Sequence, residues 1–254
     1  MMTGPGTNTY LFGNEQVAVL DPGPKIERHI KMIQEVSGAP IRWILVTHTH
    51  PDHSPAAIKL AAMTGAELLG MPAPEGKQQD KTFVADRVLE DGDKLATAEF
   101  VLEAVHTPGH ASNHLCYRHV AKNWLFTGDH VIDGSTVVIN PPDGNMKHYL
   151  QSLRRVRQLQ CDALVPGHGE IIEDPGPAID WLINHRLERE DKVRASLADN
   201  PNLTTRGLVP YVYEDVDSRL HALAERSLLA HLLKLEDDAL AERAGDRWRQ
   251  VQTD

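Results

Sequence analysis

The chain has 254 residues, enough for one large α/β domain or a core domain with a small appendage. Its 41% hydrophobic content supports a buried core, and its net charge of −10 excludes broad electrostatic attraction to nucleic acid or anionic membrane, though not a local basic cleft. Two cysteines, Cys116 and Cys161, cannot build a disulfide framework; set among apolar neighbours, they read as buried thiols of a reducing, cytoplasmic compartment.

In chain order, Met1-Met2-Thr3-Gly4-Pro5-Gly6 lacks the basic-then-apolar pattern of a signal peptide. No run approaches the ~20 apolar residues of a membrane helix, so no membrane partner is expected. Thr9 to Phe12 and Gln16 to Leu20 predict a hairpin around Gly13-Asn14. A helix is expected from Lys25 to Val36, stopped by Ser37-Gly38. The apolar run Ile41 to Val46 suits a central strand buried on both faces. Ser54-Pro55 reads as an N-cap followed by proline at the first helical position, opening a helix through Met63.

Short β-like runs follow at Glu67 to Leu69, Lys94 to Leu95, Phe100 to His106, His114 to Arg118 and Trp124 to Phe126. A helix from about Met146 to Leu159 then leads into a strand at Ala163 to Val165. Two β-rich halves, each followed by helices, predict two packed sheets with helices outside. Asp174-Pro175-Gly176-Pro177 reads as a linker or turn, dividing a domain of residues 1–175 from a helical module of residues 176–254. In that module Ile179 to Leu197 is helical, Leu220 to Leu235 carries a one-faced stripe, and Ala239 to Ala241 with Trp248 to Val251 predicts a hairpin.

Chemistry concentrates after the strands. In His48-Thr49-His50-Pro51-Asp52-His53, residues i and i+2 of an extended segment face the same side, so His48 and His50 can share one ion. Asp52 and His53 face a neighbouring point. Three later turns, Thr107-Pro108-Gly109-His110, Thr127-Gly128-Asp129-His130 and Pro166-Gly167-His168-Gly169, each place glycine before a further donor, letting the backbone approach closely. Six or seven convergent donors exceed the four of a closed zinc site, so two divalent ions are expected; mixed N and O donors suit Zn and also admit Fe or Mn.

These motifs, in this order, resemble the metallo-β-lactamase superfamily over roughly residues 7 to 175. The resemblance implies a four-layer αββα sandwich in which His48, His50 and His110 hold one metal, Asp52, His53 and His168 the other, and Asp129 bridges them. It implies a binuclear hydrolase using a metal-bridging hydroxide as nucleophile, with Asp52 and Asp129 as catalytic carboxylates that orient water or relay a proton. Asp129 stands where the best-known lactamases carry cysteine, which disfavours lactam hydrolysis. His50 stands where flavodiiron proteins carry glutamate, which disfavours iron redox work. The short Asp129–His168 spacing leaves no room for the insertion of the RNA-processing exonuclease branch.

Asn184 to Arg189, Gly6 to Tyr10 and Leu232 to Glu236 further resemble the β-lactamase-like endoribonucleases, whose C-terminal domain is winged-helix-like. That resemblance nominates His185, Arg186 and Arg189 as contacts to an anionic substrate, against a plain reading as solvated helix residues. Residues 186–254 hold 11 Lys/Arg against 14 Asp/Glu, a balance that suits a wall of the cleft or a homodimer contact better than a nucleic-acid footprint. Three functions stay open: a phosphodiesterase on single-stranded RNA, a thioester hydrolase resembling glyoxalase II acting on a small-molecule ester or thioester, and a non-catalytic nucleic-acid-binding regulator. His106, His114, His119, His130 and His148 read as supporting or surface residues, with His130 the best candidate to brace a ligand. Trp43, Trp124 and Trp181 read as core. Asp21 reads either as a turn former or as a neighbour of the site.

Overall fold

Period-two alternation along the strands sends successive side chains to opposite faces, and here it separates the layers. A computed structural model describes residues 6–251; the reading of Met1 to Pro5 as free of a leader lies outside them. The first sheet has the order β1 (Tyr10–Phe12), β2 (Val17–Leu20), β3 (Ile41–Leu45), β4 (Glu67–Gly70), β5 (Arg87–Val88). The second runs β10 (Ala163–Pro166), β9 (Trp124–Gly128), β8 (Leu115–His119), β7 (Val101–His106), β6 (Lys94–Ala96).

Ala18 and Leu20 of β2 join Leu102 and Ala104 of β7 and Tyr117 of β8 between the sheets, while Val17 and Val19 pack outward. That outer face is covered by α1 (Glu27–Ser37) and α2 (Pro55–Thr64), through Ile30, Ile33 and Leu60. Val105, Cys116 and Leu125 leave the second sheet on its far side, beneath α3 (Met146–Gln158) and the first half of α4 (Pro175–Asp199). The expected αββα sandwich is therefore present. Ile41 to Leu45 is the central strand, parallel to β2 and β4 on its two sides. The Gly13-Asn14 hairpin and the Gly38 stop, with φ +62°, also stand as expected.

Three readings change. Ser54 precedes α2 but makes no cap; its hydroxyl donates instead to Asp80 at 2.7 Å. Asp174 to Pro177 is no linker: Pro175 lies in the first turn of α4, where its missing N–H costs nothing, and the helix runs 25 residues. Trp181 is 52% exposed, its ring against His185, so it is not core, whereas Trp43 and Trp124 do flank the inter-sheet core.

Beyond α4 the chain adds β11 (Leu203–Thr204), α5 (Thr205–Val212), α6 (His221–Asp237), β12 (Ala241–Ala244) and β13 (Arg247–Gln250). The three strands pair in the order β11-β13-β12. Trp248 fills their core against Leu208, Leu228 and Leu232. This is the winged-helix-like module expected from the sequence. No helix among the described residues is long and apolar enough to cross a membrane.

Candidate metal centre

The site lies at one edge of the sandwich, where the segments leaving β3, β7, β9 and β10 converge. His48, His50, Asp52 and His53 follow the end of β3; His110 follows β7, Asp129 follows β9 and His168 follows β10. Every ligand candidate comes from a strand-end loop, where a rigid scaffold can aim polar groups.

The donors form two groups, each able to hold an ion: His48, His50 and His110, and Asp52, His53, Asp129 and His168. In the first, His50 Nδ1 lies 2.9 Å from both His48 Nε2 and His110 Nε2. In the second, Asp129 Oδ1 lies 3.3 Å from His53 Nε2 and 3.2 Å from His168 Nε2, and Asp52 Oδ2 is 3.4 Å from His168 Nε2. Asp129 Oδ2 turns the other way, 3.5 Å from His110 Nε2. One carboxylate thus faces both groups. His53 Nε2, His168 Nε2 and Asp129 Oδ1 are buried with no hydrogen-bond partner, which is unfavourable unless something else satisfies them.

The rings are braced from behind. His53 Nδ1 meets Asp21 Oδ2 at 2.8 Å, His110 Nδ1 meets the Val138 carbonyl at 2.8 Å and His168 Nδ1 the Gly6 carbonyl at 2.9 Å. His48 Nδ1 lies 3.0 Å from Thr47 Oγ1, whose hydroxyl donates to Asp21. Such partners fix the tautomer that leaves the other nitrogen free for a metal. Asp21 therefore combines both of its readings, holding φ +49° in its turn and bracing the site.

Charge follows the same division. Burial, then the neighbouring imidazoles, push His48 well below the usual histidine range and His50 down to about 3. Burial also opposes charge on His53 and His168, but Asp129 with Asp21 or Asp52 outweighs it, raising His53 and bringing His168 up to about 10.

Sequence proximity misassigned the bracing histidine. His130 makes no hydrogen bond to a ligand; its ring meets Tyr149 edge-on at 5.3 Å. His114 takes that part, with Asp129 N donating to its Nε2 at 3.2 Å and Thr107 Oγ1 2.9 Å from its Nδ1. The only prior signal was its position at the foot of a strand facing Thr107.

A cavity of about 730 Å³ opens over the cluster. His50, Asp52, His110, Asp129 and His168 reach it, and Ile132, Val137, Val138 and Pro142 form an apolar wall. The C-terminal module contributes Leu223 and Arg226 from α6. His185, Arg186 and Arg189 do not line it. Arg186 is buried, donating to the Val137 carbonyl and lying over Tyr149; Arg189 is held by Asp215 and the Val212 carbonyl; His185 lies against Trp181. Their proposed contact with substrate gives way to structural roles, because Arg186 and Arg189 are engaged by groups of the protein itself and His185 stands beside exposed Trp181, away from the cavity.

The family model described as the metallo-beta-lactamase superfamily matches residues 2–168, and that of the beta-lactamase associated winged helix domain matches residues 204–248. The chain is 29% identical to "Beta-lactamase-like protein 2 homolog" of Drosophila melanogaster, over 93% of this chain and 84% of that protein. It is 33% identical to "Thioesterase pkgB" of Emericella nidulans, over 76% of this chain and 54% of that protein. A metallo-beta-lactamase family protein of Thermus thermophilus has the same fold, with a TM-score of 0.82, 21% identity and coverage of 96% of this chain and 94% of that one.

Proposed function

The chain belongs to the metallo-beta-lactamase superfamily, with a C-terminal winged helix domain, and from that premise we propose that this hydrolase cleaves thioesters at a site for two divalent metal ions. His48, His50 and His110 would hold one ion, and Asp52, His53 and His168 the other, with Asp129 bridging. The orphaned nitrogens of His53 and His168 and the two-faced carboxylate of Asp129 support that assignment. Zinc suits the mixed imidazole and carboxylate donors, as do iron and manganese. When bound, such ions acidify water and polarise a carbonyl oxygen.

The residues supply the rest. Asp52 lines the cavity, and despite burial its contacts with His168 and His53 keep its carboxyl below the usual carboxylate range. Kept ionised, it can accept a hydrogen bond from the attacking water and orient it. The wall of Ile132, Val137, Val138 and Pro142 excludes water from an acyl chain laid along it. A thiol with an ordinary pKa of about 8.5 leaves as thiolate without a strong general acid.

The observation that carries this reading over RNA cleavage is the lining of the cavity. Among the described residues its only lysine or arginine side chains are Lys77 and Arg226, beside an apolar wall. Single-stranded RNA calls for a basic track with aromatic platforms. The thioesterase name of one relative points the same way. The complete donor set argues against a non-catalytic regulator.

The test is a panel of acyl thioesters, esters and an unstructured RNA offered to metal-loaded protein, with metal counted by elemental analysis. Thioester hydrolysis is expected, with two metals per chain and a loss of at least about a hundredfold in kcat for Asp129→Ala. RNA cleavage without thioester turnover would overturn the substrate, and fewer than two metals at saturation the binuclear site.

A further inference from the structure

The winged helix domain shapes the cavity through one face of α6. Leu223, Arg226 and Ala230 recur at spacings of three and four, so they share a helix face. Ala230 is buried in the core formed by α3, α4 and the second sheet, while Arg226 and Leu223, one and two turns earlier, line the cavity. Packing at Ala230 thus sets where Arg226 stands. Lys147 to Asp238 at 2.7 Å, and Lys234 to Glu190 at 2.7 Å, tie the far end of α6 to α3 and α4.

Charge on the cavity wall is unevenly satisfied. Asp52 and Asp129 belong to the metal cluster, Glu75 lies 3.4 Å from Lys81, and Asp143 accepts from Gln79 Nε2 and Ser112 N. The two cations differ. Elsewhere in the same domain Arg189 and Arg219 are held by Asp215 and Asp217, whereas neither Arg226 nor Lys77 makes an ion pair among the described residues. An arginine without a carboxylate, over a cavity in a chain of net charge −10, offers its planar fork to an incoming anion.

Resting on the thioester reading, we infer that Arg226, with Lys77, recognises a phosphate or carboxylate carried on the thiol side of the substrate, so that selection for anionic thioesters is supplied by the winged helix domain. The apolar wall takes the acyl chain, and the anion binds away from the scissile carbonyl. Binding energy collected there positions the reacting bond without taking part in the chemistry.

Calorimetric titration of the metal-loaded protein with non-hydrolysable S-methyl thioethers tests this apart from turnover. The probes are S-methyl-4′-phosphopantetheine, S-methylglutathione and neutral S-methylpantetheine. Wild type is expected to prefer an anionic probe over the neutral one by about tenfold in Kd. In Arg226→Ala that ratio falls toward one, and Arg226→Lys restores part of it. Preference for the phosphate or for the glutathione carboxylates identifies the source of the anion. Equal binding of anionic and neutral probes by wild type, or a ratio unchanged in Arg226→Ala, would overturn the inference. An Arg226-dependent preference in a protein that hydrolyses no thioester would leave anion recognition standing and remove the thioester reading.

Discussion

Asp21 is 2% exposed, yet it accepts from Thr47 N and Thr47 Oγ1 at 2.7 Å and pairs with His53 Nδ1 at 2.8 Å. It thereby aims His53 Nε2 at Asp129 and, through Thr47, braces His48. Replacing it with alanine leaves these groups buried without their acceptor. Asp21→Ala is expected to weaken metal binding by about 10–100-fold, read as metal retained per chain after dialysis against graded chelator. Retention equal to wild type would show that Asp21 serves only its turn. The ligand candidates themselves were legible because each sits in a short motif whose spacing constrains geometry. The bracing residues were less so: His114 reaches Asp129 only through the pairing of β7, β8 and β9, and His130 next door points to Tyr149 instead.

Turns carry the ligands, and their glycines meet hard steric limits. A Cβ on Gly109, at φ +148°, would stand 2.4 Å from Tyr149 Cα; one on Gly128, at φ +47°, would stand 2.6 Å from Thr47 Oγ1. Backbone of α3 cannot yield to such a contact as a flexible side chain could. Gly109→Ala is therefore expected to lower unfolding free energy by about 3 kcal/mol or more, since strain adds to overpacking. Urea denaturation checks it, and a loss below about 1 kcal/mol would mean that α3 shifts freely. The glycine-before-ligand pattern was visible in sequence, and so were the longer strands, whose alternation spans several residues. β5 and β11, of two residues each, leave no periodic signal, and α5 contains both Gly207 and Pro210. Asp174 to Pro177 misled because proline marks a loop and a helix start alike.

At the scale of the molecule, α4 joins the two domains rather than separating them. Ile179 and Leu182 lie in the core of the sandwich, while Val193 and Leu197 lie in that of the winged helix domain. A division at residues 175 and 176 therefore falls at the first turn of a shared helix, and we propose that the two parts unfold together. Between them sits Glu190, 8% exposed, with Lys234 Nζ at 2.7 Å and His231 Nδ1 at 3.6 Å; Lys234 also meets Asp238, which meets Lys147 of α3. Burial opposes the charge on Glu190, but the nearby His231 ring and a hydrogen bond from Lys234 prevail and hold its carboxyl below the ordinary 4.5. With the folded value depressed, the unfolded chain binds the proton more readily. The stabilisation is thus complete above about pH 4.5 and is lost as pH falls through the folded value. Glu190→Gln should cost about 1–2 kcal/mol at pH 7 and progressively less as pH falls below about 4.5. Urea unfolding of both proteins in chelator, which removes any contribution from bound metal, measures the gap at each pH. A gap that stays constant from pH 7 to pH 3 would mean that the carboxylate charge contributes nothing to docking α6, and with it Arg226, onto the sandwich.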